Sequence, residues 1–207
     1  SWTLDTVGPM ARRAEDLGEP FAVLAGEDVP SSTGLRDDLR GVVVGIDRSY
    51  YADELRMDPQ VARTFEAAVR LIQELGATVR DVSIPLLKKS SAAMYAVILS
   101  EASSIHSGPF RANRSTYGSD VQRLLNIGDT VLAADYLAGM RFRTMLWQEF
   151  DQVFDEVDVL ISPTNPHVAT SMGTDNLTWP NGEIESLLDA IWRHTYPSNL
   201  AGLPSLS

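Results

Sequence analysis

The feature that most limits what this chain can fold into is a strand, a helix and a second strand in succession between Gly41 and Ile84. Gly41-Val42-Val43-Val44-Gly45-Ile46 is apolar without alternation and rich in β-branched residues, the pattern of a strand covered on both faces. Asp58 suits an N-cap, and Pro59 fits the first helical position because its missing N–H would be unpaired there anyway. Val61, Phe65, Val69, Ile72 and Leu75 then recur on one helical face, and Gly76 closes the helix. Ala77 to Ile84 alternates as a half-exposed strand does. A helical crossover between two strands makes them parallel and lays the helix over one face of the sheet. The class that follows is α/β.

A third strand is expected at Asp158-Val-Leu-Ile-Ser-Pro-Thr-Asn-Pro166. Its apolar centre again lacks alternation, and Pro163, which cannot donate to a ladder, must end it. Thr164, Asn165, Pro166 and His167 are thereby delivered to the carboxyl end of a central strand, the edge where open α/β sheets bind ligands. Val42–Ile46, Thr78–Ser83 and Val159–Ser162 are therefore expected in one sheet.

The remaining chain reads as mostly helical. Helices are expected over Ala11–Ala25, Ala92–Ser107, Asp120–Ile127, Val131–Phe154 and Glu183–Trp192, with a break at Gly108-Pro109. The aromatic stripe Tyr136, Trp147, Phe150, Phe154 reads as core. Glu27–Arg40 reads as a polar loop, as does Thr170–Gly182.

Several chemistries are disfavoured at once. Seventeen Lys and Arg against 28 Asp and Glu give a net charge of -11, which repels phosphate backbones and argues against direct nucleic-acid binding. The chain has no cysteine, which excludes thiolate chemistry and suits a reducing cytoplasm, the expected location. No apolar run approaches the roughly 20 residues of a membrane span. His106, His167 and His194 share no metal-ligand spacing, and no glycine-rich phosphate loop occurs. Neither a metal nor a cofactor is expected. Ser103-Ser104 has no lysine or histidine at a fixed helical distance, so residue types alone assemble no catalytic group.

Three segments, taken in order, resemble the amidase signature family of serine hydrolases. They are Leu4-Asp5-Thr6-Val7-Gly8-Pro9-Met10-Ala11-Arg12, the strand segment Asp158–Pro166, and the loop segment Tyr196-Pro197-Ser198-Asn199-Leu200-Ala201-Gly202-Leu203-Pro204-Ser205. The resemblance spans essentially the whole chain. It implies an α/β/α sandwich around a mixed sheet, and cleavage of a carboxamide through an acyl-serine, with a second serine in a cis peptide and a lysine as base. The matching segments all lie downstream of that group, so 1–207 is expected to be a single incomplete domain, truncated at both ends. No catalytic residue is assigned within it. Lys88 and Lys89 lie in the wrong place to substitute, and the segment alone is expected to hydrolyse no amide and to be poorly soluble.

The resemblance also points to a substrate pocket formed by Leu124, Thr164, Trp192 and Asn199. The A-type subunits of this family's amidotransferases grip glutamine with an arginine and an aspartate. Aligned on Gly128 and Asn199, those positions carry Leu124 and Trp192, an apolar pair that cannot pair with an amino acid's charges. A stand-alone amidase acting on a small, less polar amide is therefore preferred, with no membrane partner and at most a homodimer. The alternatives are the glutaminase subunit of a tRNA-dependent amidotransferase and, from another class, a non-catalytic α/β module holding a small ligand.

Overall fold

The computed structural model describes residues 1–28 and 38–207, so Pro30–Gly34 of the expected polar loop lies outside the described residues. The helices are α1 (Gly18–Ala25), α2 (Arg48–Tyr51), α3 (Pro59–Glu74), α4 (Ser90–Ala112), α5 (Ser119–Gly128), α6 (Ala133–Phe154), α7 (Leu187–Arg193) and α8 (Tyr196–Ala201). The strands are β1 (Val43–Ile46), β2 (Thr78–Asp81), β3 (Val159–Leu160), β4 (Asn176–Thr178) and β5 (Ile184–Ser186).

The three expected strands share one sheet in the order β2-β1-β3, with β1 parallel to both neighbours. Val44 faces Val79 on one side and Val159 on the other, so the middle of β1 is enclosed by two ladders. Hydrogen bonds from Val82 N to Ile46 O and from Ile161 N to Gly45 O carry each ladder slightly past its strand. Gly45 is required by this closeness: a Cβ there would lie 2.7 Å from Leu160 Cδ2 and 3.1 Å from Val157.

Each face of the sheet is covered. On one, Ile46 packs with Phe65 and Val69 of α3, joined by Val79 and Ile161. The Asp58 carboxylate accepts from Gln60 N at 2.7 Å, the cap expected from the sequence. The other face carries the larger core, in which Leu4, Ile84, Leu87, Met94, Val97, Leu146, Phe150 and Leu200 meet. Layers of helix, sheet and helix result, the α/β sandwich the resemblance implied.

Five local expectations are corrected. Of the aromatic stripe expected in the core, Phe150 is buried, but Trp147 and Phe154 are 45% and 38% exposed. Residues Ala14–Leu17 form a 3-10 turn, so α1 itself starts at Gly18 rather than Ala11. Helix α4 runs through Gly108-Pro109 to Ala112. Phe110 is buried beyond the proline, under Arg114 and edge-on to Tyr117, and this packing outweighs the lost backbone bond. The loop expected over Thr170–Gly182 and the helix start at Glu183 give way to a β4–β5 hairpin, turned at Asn181-Gly182 with Gly182 at φ 82°. Asn199 lies in a helix, not a loop: Pro197 opens α8, and Gly202 at φ 76° ends it in the left-handed region.

Helix α4 is the post on which α5, α6 and α8 all pack. The crossing with α5 is tight, because a Cβ on Gly128 would stand 2.3 Å from the Leu99 carbonyl oxygen and 2.8 Å from Ser103 Cβ. Glycine to alanine in a helix ordinarily stabilises by about 0.5–1 kcal/mol. Here the clash is with backbone, so Gly128→Ala should instead destabilise by about 1–3 kcal/mol. Urea unfolding reads the sign directly, and an unchanged or raised midpoint would contradict the crossing.

Candidate functional site

The carboxyl ends of β1 and β3 meet the helices α7 and α8 at one edge of the sheet. Directly after β1, the buried Asp47 carboxylate accepts from Ile84 N at 2.8 Å and from Ser49 Oγ at 2.8 Å. Oδ2 thereby closes the β1 and β2 exits onto each other, while Oδ1 fixes the local turn at Ser49. After β3, Pro163 turns its carbonyl to His194 Nδ1 at 2.9 Å. A carbonyl only accepts, so Nδ1 carries the proton, and Nε2 is left as a buried acceptor without a partner. Asn165 Oδ1 and His167 Nε2 are buried without partners as well.

His194 is 5% exposed and sits edge-on to Tyr51, ring centres 5.5 Å apart. Burial pushes its pKa down to about 4, assisted by the neighbouring Arg193 charge and opposed by the bond to Pro163. The imidazole is therefore neutral near pH 7, fit to orient the Pro163–Asn165 loop but not to carry charge.

Trp192, two residues earlier, lies half-buried against Tyr95 of α4 with ring centres 5.8 Å apart. Tyr95 OH donates to Asp189 Oδ1, and Ser186 Oγ donates to Asp189 Oδ2 at 2.6 Å. Burial, then the bond to Asp189, raises the Tyr95 pKa, so the phenol stays protonated. The position of α7 is fixed by buried charge. Glu185 meets Arg56 at 3.1 Å and Arg193 at 3.4 Å, and accepts from Trp179 Nε1 at 2.7 Å.

The four expected pocket residues are placed as follows. The exposed Thr164 sits in the loop tethered by His194, and Trp192 sits on the helix that supplies the tether. Asn199 belongs to α8, which packs on α7, but its amide donates to Leu4 O at 2.6 Å. Leu124 is half-buried on α5, one turn before Gly128, and α5 packs on α4 rather than on α7 or α8, so Leu124 is not brought together with the other three. Arg123, its neighbour, lines a shallow groove on the outside of α5 with Ser119, Gln122 and Asn126. Ser103 is buried and donates to Asp129, while Lys88 and Lys89 are exposed. No motif in the sequence singles out Tyr95 or Asp189. Their bond spans 94 residues, and only the tyrosine's place on an apolar helix hints at either.

Among the described residues no cluster of His, Cys, Asp or Glu is placed to hold a metal. No helix among them is long and apolar enough to cross a membrane.

A protein-family model described as Amidase matches residues 1–207. The chain is 36% identical over 218 residues to an amidase from Pseudomonas putida, covering 100% of this chain and 46% of that protein. It is 31% identical to the A-type subunit of a glutamyl-tRNA(Gln) amidotransferase from Desulforamulus reducens, covering 99% of this chain and 48% of the relative. Among solved structures, an amidase superposes over 97% of this chain and 45% of its own with a TM-score of 0.83 and 25% identity. The corresponding A-type amidotransferase subunit from Thermotoga maritima superposes over 97% of this chain and 44% of its own with a TM-score of 0.64 and 27% identity. The chain thus spans about half the length of the curated relatives it matches.

The buried His194 sets a pH dependence. Unfolded, it titrates near 6.5, and folded it titrates at about 4. Between those values the unfolded chain holds the extra proton. The contribution is full above about pH 6.5 and is lost as pH falls towards about 4. His194→Gln keeps a donor for Pro163 O but has no proton to gain. Its unfolding free energy should fall less steeply between those pH values than that of wild type, and equal slopes would contradict the assignment.

Proposed function

Because the chain belongs to the amidase family, we propose that it contributes the substrate-facing half of an enzyme that hydrolyses a carboxamide to an acid and ammonia or an amine. The reaction proceeds through an acyl-serine: a serine hydroxyl adds to the amide carbonyl, the amine leaves with a proton from the general acid, and water releases the acid. The serines and the lysine of that step are the ones the family resemblance places upstream of Leu4. What this chain supplies is a wall and its supports.

The observation that carries the substrate assignment is the Trp192–Tyr95 contact. Two aromatic rings, with Asp189 already engaged by Tyr95 and Ser186, form an apolar surface with a fixed orientation. Such a wall favours an aryl or alkyl acyl group and leaves glutamine's ammonium and carboxylate without partners. The neutral His194 holds the strand-exit loop with Thr164 alongside it.

A glutaminase subunit of a tRNA-dependent amidotransferase is the second reading, since curated relatives at about the same coverage carry an amidotransferase name. Arg123 could serve that role only by turning from the outer groove of α5. A substrate panel separates the two readings. The full-length protein should show a higher kcat/KM for anilides or alkyl amides than for glutamine. Trp192→Ala should lower the apolar efficiency about 10- to 100-fold, the equivalent of losing about 1.5–3 kcal/mol of apolar burial. Glutamine as the better substrate, with Trp192→Ala neutral on both, would overturn the assignment. Trp192→Asp should move the ratio towards glutamine.

A further inference from the structure

Residues 1–4 belong to no helix or strand, yet α4 and α8 hold them directly and α6 braces the α4 contact. The Glu101 carboxylate, 6% exposed in the middle of α4, accepts from Ser1 Oγ, from Thr3 N at 3.1 Å and from Thr3 Oγ1 at 2.7 Å. Tyr136 of α6 adds its hydroxyl to the same carboxylate at 3.1 Å. From α8, Asn199 Nδ2 donates to Leu4 O at 2.6 Å, and the Leu4 side chain is buried in the main core. Beyond this stretch the hold stops: Val7 is 88% and Met10 98% exposed.

A carboxylate between packed helices is costly unless its lone pairs are taken, and an apolar side chain would join α4 to α6 at least as well. What Glu101 adds is geometry. It takes both the backbone N–H and the hydroxyl of Thr3, so it fixes the path of the chain as well as filling space. Asn199 fixes the next carbonyl from α8. Trp2, Thr3 and Leu4 form a turn, and a turn held at both points cannot slide along the helices that hold it.

We propose that Glu101 and Asn199 are positioning residues for amide hydrolysis, clamping residues 1–4 so that the catalytic serines preceding them stand in register with the Trp192–Tyr95 wall. This rests on the amidase reading. Both act through residues 1–4, because the Glu101 carboxylate and the Asn199 amide commit these hydrogen bonds to Ser1, Thr3 and Leu4. The clamp acts on the placement of the nucleophile, while the wall alone sets how tightly the acyl group is held. Misplacing a reacting atom by about 1 Å is enough to slow attack about 100-fold without weakening binding.

The test uses the full-length protein, an apolar anilide and a fluorophosphonate that labels activated serines. Glu101→Gln and Asn199→Ala should each lower kcat and the labelling rate about 10- to 100-fold, with KM within about threefold of wild type. Glu101→Asp, which keeps the charge, should recover part of the loss. Thr3→Val, which removes only the hydroxyl bond, should fall between wild type and Glu101→Gln, and decides the matter with Asn199→Ala if Glu101→Gln does not fold. An active wild type with folded variants of unchanged kcat overturns the clamp alone, and so does a rise in KM at constant kcat. A wild type that neither labels nor turns over amides overturns the amidase reading and the clamp with it.

Discussion

Everything in this structure hangs on β1 being hydrogen-bonded on both sides. Its pairing with β2 requires the α3 crossover, and its pairing with β3 draws the far end of the chain back across more than a hundred residues. The second contact is possible because Gly45 has no side chain where Leu160 and Val157 lie. Parallel pairing also forces all three strands to end at the same edge. The exits of β1, β2 and β3 are then close enough for Asp47 to bond Ile84 and for His194 to bond Pro163.

Helix α4 organises the other layer. Along little more than two turns it presents Tyr95 to α7, Leu99 and Ser103 to α5, and Glu101 to the opening residues and α6. Small residues set the distances: Gly128 lets α5 approach, and Gly139 brings α6 within reach of Val97 and the Ala93 carbonyl. The buried polar bonds are therefore concentrated where irregular segments must be fixed, and the apolar contacts where regular ones pack. Glu101 shows the balance. Burial drives its carboxyl pKa upward, but the hydrogen bonds from Ser1, Thr3 and Tyr136 together hold it below the usual carboxylate range, so it stays ionised in place.

The sequence is most readable where local and tertiary preferences agree. The β-branched run of β1, the Asp58-Pro59 cap and the period of α3 all favour the same βαβ unit, which forms as expected. Weaker local signals lie at Asn181-Gly182, a hairpin turn, and at Pro197 and Gly202, which bracket α8; the loop-like composition around them masks both elements. Pro109 misleads because the packing of Phe110 overrides a local preference. In the candidate site, the apolar character of Trp192 can be read from alignment with the family. Its partner Tyr95, and the Asp189 that holds it, cannot, since spacing along a chain says nothing of contacts formed across 94 residues. The same holds for Glu101, whose partners lie 98 and 35 residues away.

The central claim is that this half of the fold builds an apolar acyl wall from Trp192 and Tyr95. It is tested most directly by a crystal structure of the full-length protein whose nucleophile has been trapped with an aryl phosphonate. The aryl ring is expected in van der Waals contact, about 4 Å, with both side chains. An aryl ring seated elsewhere, with Trp192 and Tyr95 untouched by it, would contradict the claim.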